Sequence, residues 1–420
     1  MPTYTQMKDS GVAWLGDIPT EWQMLRIGQL FSQRNEKVSD KDFEPLSVTK
    51  KGIVPQLENA AKTDNGDNRK KVLKGDYVIN SRSDRKGSSG LSRLDGSVSL
   101  INTVLAESKL HPRFAHHLLR SYPFQEEFYR WGQGIVADLW STNYQRMKSI
   151  QLPVPDYETQ ERIANYLDEE TALIDDLIAK QQRLLALLEE KRRATITHAV
   201  TRGLNPSVDF KETDNPWLGQ VPAHWELRRL KYLFTINNEA LSQKTDPETE
   251  FEYVDISSVD KYEGIIKREP MTFASAPSRA RRVVKGGDII LGAVRTYLEA
   301  IAQIKSKDEN VIVSTGFAVL RPDRTSDSDF YSWAIRSGPF MASVVASSDG
   351  VSYPAINADK LATLYMPLPP KDERDAISKY ILGEMVKMDT LKAKIFEQVD
   401  LLRERRTSLI SHAVTGKIKV

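Results

Sequence analysis

The chain repeats itself, and the repeated part includes a helix too long for one small domain to bury. Trp14-Leu-Gly-Asp-Ile-Pro-Thr-Glu-Trp22 returns 203 positions later as Trp217-Leu-Gly-Gln-Val-Pro-Ala-His-Trp225, and Leu30-Phe31 returns at the same offset as Leu233-Phe234. Lys74-Gly-Asp-Tyr-Val-Ile79 resembles Gly286-Gly-Asp-Ile-Ile-Leu291 at an offset of 212. From Asn143, which pairs with Asn357, the offset is 214, and it holds until Ile196-Thr-His-Ala-Val-Thr201 matches Ile410-Ser-His-Ala-Val-Thr415. The second copy thus carries 11 additional residues, all before its C-terminal helix. The globular part varies and the helical part does not.

Each copy reads the same way. A lead-in Pro-x-x-Trp segment is followed by short strand-like runs, such as Tyr77-Val-Ile79, Val98 to Leu105, Asp288 to Leu291 and Val311 to Leu320, punctuated by Gly, Ser and Asp. A Pro-rich stop follows, Leu152-Pro-Val-Pro155 or Met366-Pro-Leu-Pro-Pro370, and then a long helical pattern without Pro. Glu158 and Glu161, or Asp372 and Glu373, sit in the first turns, where the helix dipole favours carboxylates. Positions 163, 167, 170, 174, 177, 181, 184 and 188 alternate steps of four and three, as do 377, 381, 384, 388, 391, 395, 398 and 402. Both sets are apolar with two polar interruptions, a heptad seam over about 40 residues, or roughly 60 Å. The economical partner for each stripe is the other copy. Because the chain must return between the helices, an antiparallel intramolecular coiled coil is expected; the alternative is two helices that each pair with another protein. Apolar flanks such as Leu185, Leu187, Leu401 and Leu409 leave room for a second stripe that binds a partner.

At 420 residues the chain exceeds one compact core. An apolar share of 40% and a charged share of 28% exclude a disordered or fibrous chain. Lys+Arg 59 against Asp+Glu 57 leaves only +2, so a nucleic-acid surface must come from clustered charge. There is no Cys, which excludes a disulfide framework, a thiol nucleophile and Cys-ligated zinc. No apolar run approaches the roughly 18 residues of a membrane span, and the N-terminal segment has no signal-peptide core, so a cytoplasmic protein without a membrane partner is expected.

Together these features resemble the specificity subunit of type I restriction–modification systems. The resemblance rests on the doubled Trp-Leu-Gly-x-[Ile/Val]-Pro-x-x-Trp segment and the doubled Gly-Asp strand. It rests also on Pro153-Val-Pro155 with Glu158, Gln160 and Ile163-Ala-Asn-Tyr-Leu167, echoed by Pro367-Leu-Pro369 with Asp372, Arg374 and Ile377-Ser-Lys-Tyr-Ile381. Ala199 to Gly203 closes the first helix, and Ala413-Val-Thr-Gly416 closes the second in altered spacing. Arg374 departs from the Gln favoured at this place, which puts a shared capping arrangement in doubt.

The resemblance implies an α+β fold of two target-recognition domains in pseudo-two-fold repeat, joined by two long helices: residues 1–157 and 204–371 as readers, 158–203 and 372–420 as spacer helices. It implies a non-catalytic subunit that reads a split double-stranded DNA site, one domain per half-site, and docks two methyltransferase subunits and restriction subunits. S-adenosylmethionine, ATP and Mg²⁺ would then sit on those partners, with no cofactor or metal in this chain. Rigid separation suits such a task, because half-sites on one face of a duplex lie about 34 Å or a multiple apart. The rival of a different class is a structural coiled-coil scaffold whose globular ends bind proteins.

Two segments in each copy are candidates for DNA contact. Arg69 to Arg93 holds a basic cluster from which Lys70, Lys71, Arg82, Arg85 and Lys86 are the candidates; the second copy offers Arg281, Arg282, Arg295 and Tyr297. Cations serve phosphates and a few Arg or polar side chains serve base edges. The Gly-rich loops before the helices add Gln133 and Ser348, with Tyr353 beside the latter. Solvated hairpin tips and ordinary turns would look the same. Catalytic readings are weaker: Asp95…Glu107-Ser-Lys109 has nuclease residue types but no counterpart in the second copy, and no phosphate-loop or dinucleotide fingerprint is present. His111, His116 and His117 read as helix-surface residues, without acidic ligands at metal spacing.

Overall fold

A computed structural model describes residues 3–58, 66–135, 140–308, 310–350 and 352–420. Two long helices dominate, α1 (Tyr157–Arg202, 46 residues) and α2 (Lys371–Val414, 44 residues). The chain divides into two compact units, one of Met1–Gln182 with Phe396–Val420 and one of Arg183–Ile395. Each unit therefore owns the start of one long helix and the end of the other.

Within each unit the globular part is built on a four-stranded antiparallel sheet with one topology. Its order is Ser89–Leu91, Tyr77–Asn80, Asn102–Ala106, Ser32–Gln33 in the first unit, and Ile301–Gln303, Ile289–Gly292, Phe317–Pro322, Phe234–Ile236 in the second. The second sheets differ. The first unit has three antiparallel strands, Gly96–Val98, Arg69–Val72 and Lys37–Val38. The second has four, Glu269–Thr272, Glu250–Val254, Val311–Ser314 and Ala280–Val283, and Glu250–Val254 runs parallel to Val311–Ser314. Most of the additional residues of the second copy fall in this stretch.

The lead-in segment and the Pro-rich stop turn out to be partners. Gln23–Arg26 pairs with Gln151–Val154, and Glu226–Arg229 with Tyr365–Leu368, both antiparallel. Each pair ties the start of a globular part to the root of its helix. Asn143 and Asn357 cap the short helices before these stops, their side chains accepting from Arg146 N (3.2 Å) and Lys360 N (2.8 Å).

In the first unit the core joins Ile163, Leu167 and Ile174 of α1 to Leu409 and Val414 of α2. In the second it joins Ile196 and Val200 of α1 to Ile377, Ile381 and Met388 of α2. The helices run antiparallel in both. Gln181 bonds Gln398 at 3.1 Å and Arg406 pairs with Asp175 at 2.9 Å in the first unit; Arg192 pairs with Asp389 at 2.6 Å and Lys392 with Glu189 at 3.6 Å in the second. The seam differs from the expected one by a residue at alternate positions. Thr171, Ile178 and Leu185, and their echoes Met385, Lys392 and Val399, turn inward, whereas Leu177, Leu184 and Leu391 stay exposed. Both registers share positions 174, 181 and 188, and with leucines on each side the heptad count alone cannot choose between them.

The Gln-to-Arg departure is compensated. Gln160 Nε2 donates to Pro155 O (2.8 Å) while its Oε1 accepts from His111 N (2.8 Å). Arg374 Nη1 donates to the equivalent Pro369 O (2.7 Å), and its Nη2 donates to Asp327 Oδ2 (2.9 Å). One joint is closed by an amide and the other by a buried ion pair. The histidines are more enclosed than a helix surface would allow: His111 and His117 are buried, and His117 Nε2 lies 2.7 Å from Asp168 Oδ1 of α1.

Removing Arg374 strands the buried Asp327 carboxylate. Arg374→Ala is expected to cost roughly 3–5 kcal/mol in urea unfolding of the full chain. The double change Asp327→Ala with Arg374→Gln, which removes the charge as well, is expected to recover much of that loss.

Candidate nucleic-acid interface

In each unit the two loop segments singled out by composition are brought together by backbone hydrogen bonds. In the first, Gln133 and Ser141 exchange both N–H···O bonds at 2.9 Å, Ser83 N donates to Trp140 O (3.0 Å), and Thr142 N donates to Ser81 O (2.9 Å). In the second, Asp349 and Ala355 exchange the same two bonds (2.8 and 2.9 Å), Arg295 N donates to Pro354 O (2.7 Å), and Ile356 N donates to Ala293 O (2.9 Å). These are repeat-equivalent positions, bond for bond. The basic loop after the central strand and the Gly-rich loop after the helical pair form one junction in each unit. Residues 136–139 of the first Gly-rich loop and position 351 of the second lie outside the described residues.

The junction of the first unit presents Arg82, Arg85, Lys86 and Gln133. Arg82 and Arg85 flank Asp84, each 3.5 Å from it, and Arg85 is largely exposed. Lys86 is ion-paired with Glu126 and stands 5.4 Å over the Tyr129 ring. Gln133 is exposed, and beside it Ile135 is 98% exposed, an apolar tip that charge reasoning passes over.

The junction of the second unit presents Arg295, Tyr297 and Ser348. Arg295 is exposed, with its guanidinium 4.8 Å over the Tyr353 ring. Its backbone is left-handed (φ 53°), as is that of Glu299 (φ 49°). A non-Gly residue there costs roughly 1–2 kcal/mol, and the bond to Pro354 O holds it in place. Tyr297 is more than half exposed. Ser348 Oγ shares a hydrogen bond with Thr296 Oγ1 (3.0 Å) and donates to Val344 O (2.8 Å), so it is committed to the loop.

The other four cations lie elsewhere, on the second sheets, and their side chains are engaged internally. Lys70 Nζ donates to Asn102 O (2.7 Å), and burial lowers its pKa. Lys71 pairs with Glu36 at 2.9 Å and sits over the Phe43 ring. Arg281 lies 4.4 Å over Phe273 and donates to Ala280 O. Arg282 reaches Asn237 O, and burial lowers its pKa too. The basic cluster between Arg69 and Arg93 is thus split between a strand and a loop. Among the described residues no group of three His, Asp or Glu side chains is placed to hold a metal.

The comparisons agree with this architecture. The sequence model of the type I restriction modification DNA specificity domain matches residues 222–406. The putative type I restriction enzyme MjaX specificity subunit of Methanocaldococcus jannaschii is 21% identical over 97% of this chain and 96% of its own length. Among solved structures, the HsdS subunit from Thermoanaerobacter tengcongensis superposes with a TM-score of 0.55 at 16% identity, covering 95% of this chain and 98% of that one. A chain from work on complex assembly and conformational transition of the type I R-M system superposes with a TM-score of 0.70, also at 16% identity, covering 94% and 98%. Residues 222–406 thus match the type I restriction modification DNA specificity domain, and along nearly its whole length the chain is similar in sequence and fold to specificity subunits of type I restriction–modification systems.

Proposed function

We propose that the chain reads a bipartite double-stranded DNA site, one half-site per unit, through the paired-loop junctions, and performs no chemistry itself. The observation that carries this reading is the repeat of the junction, bond for bond, with different side chains displayed on it: Arg82, Arg85, Lys86 and Gln133 in one unit, Arg295 and Tyr297 in the other. A constant frame with variable contents is what independent half-sites require. The long antiparallel helices would set the gap between them. Methylation of adenine and ATP-dependent cleavage would belong to partner subunits, which bring S-adenosylmethionine, ATP and Mg²⁺, and the complex would act in the cytoplasm. Among the described residues no helix is long and apolar enough to cross a membrane.

Docking of two methyltransferase subunits is supported by the leucines that the seam leaves outside. Leu173 and Leu177 of α1 with Phe396 and Leu401 of α2 are exposed in the first unit; Leu184, Leu187, Val386 and Leu391 are exposed in the second. Leu177 and Leu401 repeat as Leu391 and Leu187. Two equivalent apolar faces suit two copies of one partner.

A map of modified adenines in the source strain, with and without this gene, is expected to lose one split motif on deletion; an unchanged map counts against the reading. On the split duplex so identified, Arg82→Ala and Arg295→Ala are each expected to weaken binding by about 1–3 kcal/mol, with relaxed discrimination in one half-site only. Equal affinity and an equal salt slope for both variants would exclude the junctions as readers and favour a protein-binding scaffold. Deleting one heptad from each helix, about 10 Å of rise, is expected to shorten the preferred gap between half-sites.

A further inference from the structure

The two readers share a second feature that the junctions do not use, and here they diverge. In the first unit a basin of about 950 Å³ opens between the Leu46–Thr49/Gly52–Pro55 hairpin, the helical pair Pro112–Leu118 and Tyr122–Arg130, and the end of α2. Five cations line it, Lys50, Lys51, Lys86, Arg120 and Arg406, against the single carboxylate of Glu126, which is committed to Lys86. Arg406 is held by Asp175, and Arg120 donates to the carbonyl of Lys50. The Lys50 and Lys51 side chains are exposed at the hairpin turn and have no ion-pair partner among the described residues.

His116 adds a neutral donor to the wall. Its Nδ1 accepts from Leu91 N (3.2 Å), which places the ring proton on Nε2, and no bond to Nε2 is present among the described residues. Burial, with Arg120 and His117 adding to it, pushes its pKa down to about 3, so the imidazole stays uncharged.

The same place in the second unit has been filled. Arg336 stands where Arg120 does and repeats its bond, donating to Lys261 O (3.3 Å) as Arg120 does to Lys50 O. Arg192 stands for Arg406, and Trp333 for His117. Lys261 is neutralised by Glu299, Arg193 donates to Tyr262 Oη (2.6 Å), and Tyr262 and Trp333 line the space. Two hollows remain beside these rings, of about 90 and 450 Å³. At the repeat-equivalent place the cations of the second unit are thus paired or covered by aromatic bulk, although exposed Lys305 and Lys307 line the far side of the larger hollow, while Lys50 and Lys51 of the first unit face open space unpaired among the described residues. Like charges around a cavity of ligand size are costly unless an anion enters, and guanidinium and ammonium groups together suit phosphate oxygens.

We propose that the basin of the first unit is a binding site for a phosphate-rich ligand, held by Lys50, Lys51, Arg120 and Arg406 with His116 Nε2–H as a neutral donor, and that the repeat-equivalent place between Tyr262 and Trp333 in the second unit is not one. The phosphates could come from two sources, a free polyphosphate compound or the backbone of a nucleic acid running past the Arg82–Lys86 loop, since Lys86 belongs to both features. The site does not depend on how the junctions read bases.

The test uses the full chain. Titration calorimetry with sodium tripolyphosphate is expected to show binding that Lys50→Ala/Lys51→Ala weakens at least tenfold, while the charge-matched control Lys244→Ala/Lys394→Ala, at exposed positions of the second unit, leaves it unchanged. Both substituted lysine pairs are exposed, so folding is expected to hold, as circular dichroism would verify. DNA binding across a salt series separates the sources. Loss of tripolyphosphate binding with an unchanged DNA salt slope assigns the basin to a free polyphosphate; a shallower slope in Lys50→Ala/Lys51→Ala, but not in the control, assigns it to the nucleic-acid backbone. If Lys50→Ala/Lys51→Ala changes neither measurement relative to the wild-type chain, or changes both no more than the control does, the proposal is overturned.

Discussion

Neither long helix can bury its apolar stripe on its own reader, and the rest of the structure depends on how that stripe is covered. Each reader supplies a small core and one helix root, and the remaining surface is closed by the far end of the other repeat's helix. Ile163, Leu167 and Ile174 therefore meet Leu409 and Val414, while Ile196 and Val200 meet Ile377, Ile381 and Met388. At roughly 1.5–3 kcal/mol per fully buried aliphatic side chain, this shared burial is large beside the net stability of a domain. The two units are consequently not separable at the sequence boundaries between reader and helix. A cut after Arg202 would take from the second unit Ile196 and Val200 of its core.

The glycines closing each helix belong to the same scheme. Gly203 lies against Trp225 and Gly416 against Trp22, both with positive φ (76° and 72°), and a Cβ at Gly416 would fall 2.3 Å from Pro19 Cδ. The Ala-Val-Thr closures and the Pro-x-x-Trp lead-ins, distant in sequence for the first unit and adjacent for the second, are two sides of one contact. The altered spacing of the second closure leaves that contact intact.

Much of this was legible in the sequence. The repeat and the two long helices followed from offsets and periodicity, because duplicated motifs and heptads leave a mark on every turn; the antiparallel pairing followed from the need to return the chain, and the α+β fold from the family resemblance that the motifs carry. The seam was misread at alternate positions, since Leu177 and Leu184 compete with Ile178 and Leu185 for the same stripe and only the partner helix decides. The junction loops were found through their Arg and Gly content, but the hubs that join them, Ser141 and Ala355, act through backbone groups and leave no compositional trace. Lys70, Lys71, Arg281 and Arg282 looked like neighbours of Arg82 and Arg295 along the chain; a strand carries them to another sheet, where carbonyls, a carboxylate and aromatic rings engage them. The Lys50-Lys51 pair and Arg120 carry no joint mark in the sequence, because Arg120 lies 70 positions from Lys50 and they meet only in the fold.

The two helix roots are fastened by different chemistry at equivalent carbonyls, Pro155 O and Pro369 O, and that has a consequence for modular exchange. Gln160 answers a backbone N–H of its reader; Arg374 answers the buried carboxylate of Asp327. Were the second reader grafted onto the first helix root, Asp327 would face an amide in place of a cation and remain an uncompensated buried charge. The reverse graft would leave the guanidinium without its carboxylate. The common length and shared motifs of the helices suggest interchangeable parts, yet each reader carries a key cut for its own lock. A functional recombinant must therefore cross over on the far side of residue 160 or 374, so that the key and the lock travel together.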